Sequence, residues 1–178
     1  MLVEKNHNVK QHVTFRLDET VLSKLANEAN QNNISLNALI NEVLKQHSYW
    51  NANAIKTKNI SIWKLFPTKL MEKYSDDEII SITEEIARDS YKDTVLVLSN
   101  ELTPTSLLEV FKQWISTNFP YTYKVSDKKH TFVIRHDMTR KWSLYIVACM
   151  KIMFEECSLK SFQYQITDNT VMIEIELP

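Results

Sequence analysis

The sequence predicts an α+β protein. A small N-terminal unit of strand, helix, turn and helix precedes a domain in which helices pack on an antiparallel sheet. Three observations carry that reading. His12 to Leu17 alternates polar and apolar residues with the period of a strand, and two runs of helical spacing follow it. From Tyr121 onward, two pairs of alternating segments flank one apolar helix. The composition, 44% hydrophobic and 24% charged over 178 residues, is that of one ordinary globular domain or two small ones.

In "HVTFRLDE" the side chains of Val13, Phe15 and Leu17 lie on one side of an extended strand, and His12, Thr14 and Arg16 on the other. Asp18 is a suitable N-cap for the helix that follows, with Glu19 favourable in its first turn. Val21, Leu22, Leu25, Ala26 and Ala29 recur at helical spacing until "NQNN", Asn30 to Asn33, ends the helix. The chain has no glycine. Left-handed turn positions therefore fall to residues such as Asn, and the expected places are Asn30–Asn33 and "TDNT", Thr167 to Thr170. Ser35 caps a second helix with an apolar face of Leu36, Leu39, Ile40, Val43 and Leu44, joined by Trp50. This unit is too small and too one-sided to stand alone, and a lone strand has two unpaired edges. A two-fold dimer with its strands paired antiparallel is the simplest repair.

The pattern divides the chain into residues 1–50, a polar linker at 51–60 containing "NANAIKTKN", and a domain at 61–178. In that domain "ISIWKLFPTKLMEKY" is apolar but broken at Pro67. "SDDEIISITEEIARDS" is a helix capped by Ser75, with Ile79, Ile80, Ile82 and Ile86 as its buried stripe. "TVLVLS" reads as a short buried strand or a helix end, and "TPTSLLEVFKQWISTNF" as a helix with Leu107, Leu108, Phe111, Trp114 and Ile115 inward. "YTYKVS" and "KHTFVIRHD" flank a turn at Ser126–Lys129 and form one hairpin. "SFQYQIT" and "VMIEIEL" form a second about Asp168–Asn169. Between them, "TRKWSLYIVACMKIMFEEC" is apolar round most of its circumference, which predicts a helix buried on two sides.

"HVTFRLDETVLSKLANEANQNNISLNALINEVLK", His12 to Lys45, resembles the ribbon-helix-helix DNA-binding family of the MetJ/Arc type. The matching pieces are the alternating strand ending in Leu17, the Asp18 cap and "ISLNALI" at the start of the second helix. They cover about a quarter of the chain. The inter-helix turn, usually containing Gly in that family, is here Asn32–Asn33. The resemblance implies a homodimer whose paired strands enter the major groove of double-stranded DNA. It makes His12, Thr14 and Arg16 the base readers. Their chemistry fits: Arg16 can donate two hydrogen bonds to guanine, and Thr14 can bond a base edge or touch a thymine methyl. Phosphate contacts are expected from Lys10, from the Ser35 hydroxyl and from the amides of Leu36 and Asn37 at the helix N-terminus.

Charge agrees in sign. Residues 1–60 hold seven Lys and Arg against five Asp and Glu, while the remainder holds fourteen against seventeen. "RHDMTRKWSLY" gathers Arg135, His136, Arg140, Lys141 and Trp142 at a strand-to-helix junction, a candidate pocket for a small-molecule effector. No nucleophile, base and orienting group stand at catalytic spacing, and a glycine-free chain has no Gly-rich phosphate loop, so neither an enzyme nor a cofactor is expected. His130 and His136 lie too far apart along one strand to share a metal, as do Cys149 and Cys157 along one helix. No apolar run reaches the ~18 residues of a membrane span, and the polar start predicts a cytoplasmic protein. The expectation is a transcriptional regulator acting as a repressor. It would work as a dimer or a dimer of dimers, with the second domain serving oligomerisation or effector sensing. The alternatives are an antitoxin-like or other protein-interaction module whose C-terminal domain binds a partner protein and, further off, an enzyme.

Overall fold

The computed structural model describes residues 12–178 apart from 55, 58, 59, 156, 158 and 160. The chain divides into two compact units, one ending at Leu44 and the other spanning Lys45–Pro178. Among the described residues the sheet and most of the helices belong to the second unit, and the protein is α+β.

In the first unit, α1 (Glu19–Gln31) leads through a tight turn to α2 (Leu36–Tyr49), which runs across the unit boundary. Asp18 stands at the N-cap position, but its side chain makes no capping hydrogen bond. The turn is a Schellman motif: the Ile34 amide donates to the Ala29 carbonyl at 3.0 Å and the Asn33 amide to the Asn30 carbonyl at 3.2 Å. The left-handed position this motif needs, commonly glycine, is filled by Asn33 at φ 54°. Residues 12–18 form no strand within the single chain. The physical reason is direct: a strand exists by pairing, and no other described segment of the first unit is extended to pair with it. Of its described residues only Ala29 and Leu39 are buried.

The second unit begins within the last turns of α2. Trp50 is buried, and Asn51–Asn53 make one turn of 3-10 helix, so part of the expected linker is structured. α3 (Leu65–Met71) carries Pro67 in its first turn, where the missing amide costs no helical bond. α4 (Asp76–Ser99) starts with a full Ser75/Glu78 capping box and absorbs "TVLVLS" as its last turns. Its buried stripe is Ile79, Thr83, Ala87, Tyr91 and Val95, one residue every four, while Ile82 and Ile86 face outward. The isoleucine-only stripe expected from sequence is corrected there. Thr83 can lie inside because its hydroxyl donates to the Ile79 carbonyl at 2.6 Å. α4 ends on Asn100 at φ 58°, a second left-handed asparagine.

α5 (Pro104–Asn118) has a Thr103/Ser106 capping box and proline at its first position. Strands β1 (Tyr121–Ser126) and β2 (Lys129–Arg135) form the first hairpin, α6 (Arg140–Phe154) crosses over, and β3 (Ser161–Ile166) and β4 (Thr170–Glu176) form the second. The sheet order is β1-β2-β4-β3 with every pair antiparallel. The central register sets Phe132 opposite Ile173 and Ile134 opposite Val171, all four fully buried on one face. α6 touches both α4 and the β3–β4 hairpin, the two-sided burial its apolar circumference implied. Phe111, Ile115, Ile146, Met150 and Phe154 complete the core.

The hairpin turn at 126–129 places Asp127 at φ 55°, and Asp137 before α6 lies at φ 51°. Thr167–Thr170, expected to hold a left-handed residue, holds none. It closes instead through the Thr167 hydroxyl, which accepts from the Thr170 amide at 3.0 Å. β1 and β3 are the sheet's edges. In β3 the residues Gln163, Tyr164 and Gln165 are all exposed.

Candidate functional site

Two groups of residues were singled out by sequence, and each lies within one unit. In the first, His12, Thr14 and Arg16 are all exposed. So are the apolar residues between them: Val13 is 61% exposed, Phe15 57% and Leu17 44%. Val21, Leu22, Val43 and Leu44 on the two helices are exposed as well. A row of large apolar side chains about half exposed, alternating with polar ones, is a surface in want of a covering. Lys10 lies outside the described residues.

Ser35 acts as the N-cap of α2: its hydroxyl accepts from the Ala38 amide at 3.1 Å, and its carbonyl accepts from Leu39 at 3.0 Å. Helix geometry leaves the amides of Leu36 and Asn37 as the forward donors of this end. Asn37 is exposed and its carbonyl accepts from the Asn41 side chain at 2.8 Å. The arrangement can hold a phosphate oxygen by two amides in line with the helix dipole.

In the second unit, the five residues of the strand-to-helix junction do not gather into one pocket. Arg135 is exposed at the end of β2. His136 is fully buried. Arg140 pairs with Asp76 at 2.5 Å and Lys141 donates to the Tyr74 carbonyl, so both side chains tie the start of α6 to the start of α4. Trp142 is half-buried and packs against Tyr145, ring centroids 4.6 Å apart. A depression at this junction is lined by Arg140 and Lys141, with Glu72, Asp76 and Asp168, and excludes Arg135, His136 and Trp142.

His136 has a structural arrangement of its own. Its Nδ1 accepts from the Met138 amide at 3.1 Å, which leaves the proton on Nε2. Nε2 then donates to Ser143 Oγ at 2.8 Å, and Ser143 donates onward to the Thr167 carbonyl at 2.8 Å. The chain of bonds ties β2, α6 and the β3–β4 turn through one neutral imidazole. Burial pushes its pKa down to about 4, against a smaller opposing effect of Asp137. In the sequence His136 stands among charged residues at a strand-to-helix junction, while its partner Ser143 lies seven residues on, on the next element, and Thr167 further still.

His130 is set apart from it: Tyr123 Oη and His130 Nδ1 are 2.6 Å apart on neighbouring strands. Cys149 and Cys157 are not disulfide-bonded. Among the described residues no helix is long and apolar enough to cross a membrane. No family model, curated protein or solved structure matches the chain.

Proposed function

We propose that residues 12–45 form, in a two-fold dimer, a ribbon-helix-helix unit that reads the major groove of double-stranded DNA, and that the protein is a sequence-specific transcriptional regulator. The observation that carries this reading is the exposed alternation of residues 12–17 ahead of a helix, a Schellman turn and a Ser35-capped helix. Pairing two such segments antiparallel covers Val13, Phe15 and Leu17 and gives each strand the partner it lacks. The same pairing doubles the polar row, so that six side chains (His12, Thr14 and Arg16 from each chain) face outward as base readers. The amides of Leu36 and Asn37 position the ribbon on the phosphate backbone. The second unit has an extensive core of its own, unlike a segment that orders only on a partner, which favours this reading over the antitoxin-like one.

The test is selection of preferred sites from random DNA duplexes with the wild-type protein, then anisotropy titration of Arg16→Ala on the selected site. Loss of one bidentate contact from each chain is expected to cost about 1–3 kcal/mol per contact and to relax specificity at one position of each half-site. Wild-type protein that enriches no sequence, or a variant that binds the selected site as tightly as wild type, overturns the proposal.

A further inference from the structure

The second unit contains a cavity of about 690 Å³ that none of the junction residues lines. Its walls come from four parts of the unit. Trp50 belongs to the segment after α2, Tyr91 to α4, Phe111 and Trp114 to α5, and Tyr145 and Cys149 to α6. The lining is largely apolar, and its charged members, Lys56, Asp89 and Asp93, are exposed to solvent, so charge is confined to the solvated rim. Its volume is that of a site for a drug-sized molecule, on the usual scale of ~300–1,000 Å³.

Two features define what would fit. On the α5 and α6 walls the rings are already held in place by one another: Trp114 lies 5.9 Å from Phe111 and 6.2 Å from Tyr145, centroid to centroid. Such preset rings favour a rigid flat body that stacks over a flexible chain that must be ordered. The polar groups of the α6 wall are uncharged. Tyr145 is hydrogen-bonded to Cys149, and burial pushes the Tyr145 hydroxyl well up and the thiol up to about 12, so both keep their protons. An ionic group placed against that wall would have no countercharge, and unpaired burial of a charge is costly.

We propose that this cavity binds one uncharged, flat, apolar molecule of a few fused or linked rings, stacked among Trp50, Tyr91, Trp114 and Tyr145. The inference goes beyond the DNA reading and is tested without DNA.

The neutral fluorophore N-phenylnaphthylamine is titrated into the full chain, exciting tryptophan and following probe emission. Saturable binding of one probe per chain is expected, displaced by naphthol but not by naphthalenesulfonate or palmitate. Cys149→Phe fills the cavity from α6. Ser90→Trp places a large side chain at an exposed lining position of α4, where folding is undisturbed. Each is expected to weaken the probe by about tenfold, or ~1.4 kcal/mol, with an unchanged circular dichroism spectrum. No saturable binding by wild type, or unchanged binding by Ser90→Trp, overturns the site. Displacement by naphthalenesulfonate or palmitate in preference to naphthol overturns the ligand class.

Discussion

His136 shows how much one side chain can hold. Its ring is neutral, fully buried, and bonded at both nitrogens. Above pH 6.5 the ring is neutral in both the folded and the unfolded chain, and it contributes no pH dependence. As the pH falls from 6.5 toward about 4, the unfolded chain takes up a proton that the folded chain refuses, so stability falls. The loss at pH 5 relative to pH 7.5 is about 2 kcal/mol. His130, lowered by burial and by Lys112, adds in the same direction. Urea unfolding at the two pH values is the measurement. His136→Gln, which keeps a donor and an acceptor but does not titrate, is expected to flatten the slope. A variant with the wild-type slope would assign the pH dependence elsewhere. None of this was readable in "RHDMTRKWSLY", where the same histidine sits among charges and looks like a ligand-binding group.

Among the elements, the hairpin–helix–hairpin order was readable because two signals coincide there. Strands alternate at period two, and the two-residue turn Asp127–Lys128 leaves no room for another reading. α4 was harder. "TVLVLS" has no helical period of its own, and a short apolar run fits a strand or a buried helix equally well. It is helical because it continues α4, whose earlier turns pair with α6, and it buries Val95 in the core. The isoleucines misled in the same way: hydrophobicity pointed to Ile82 and Ile86, while geometry buried Thr83 and Ala87. The start of α5 offers a clean test of local control. The Thr103 hydroxyl accepts from the Ser106 amide at 3.1 Å, and Ser106 Oγ accepts from the Thr103 amide at 2.9 Å. Thr103→Ala removes half of that exchange, and a loss of about 1 kcal/mol is expected in chemical denaturation. A variant as stable as wild type would show that Pro104 and the packing of α5 fix this terminus unaided.

For the molecule as a whole, the two units differ in what they need. The second has a contiguous core drawn from three helices and four strands. The first leaves most of its apolar side chains in water. Residues 12–17 alternate in the sequence but form no strand in the single chain; under the proposed reading their pairing partner is a second copy. The cavity was not foreseen, because α6 is apolar nearly all round and reads as uninterrupted core. Phe15→Lys separates the units' requirements. Phe15 is exposed in the single chain, so the substitution leaves the second unit's fold intact. It is expected to abolish DNA binding and to remove the first unit's share of helical signal while the second unit still melts cooperatively. DNA binding retained by this variant would exclude a paired ribbon.

The β3 edge carries a consequence for handling the protein. Edge strands are normally guarded by charge, proline or a bulge. "SFQYQI" has none of these along its six residues and combines β-formers with amides and no charge. In concentrated solution, or after mild heating, this strand is where chains would begin to stack edge to edge into fibrils. Gln163 lies opposite Glu174 in the register, so Gln163→Lys guards the edge with a charge set beside a carboxylate that already pairs with Lys129 at 2.6 Å. A longer lag in thioflavin fluorescence is expected for that variant, and an unchanged lag would place the first point of association elsewhere.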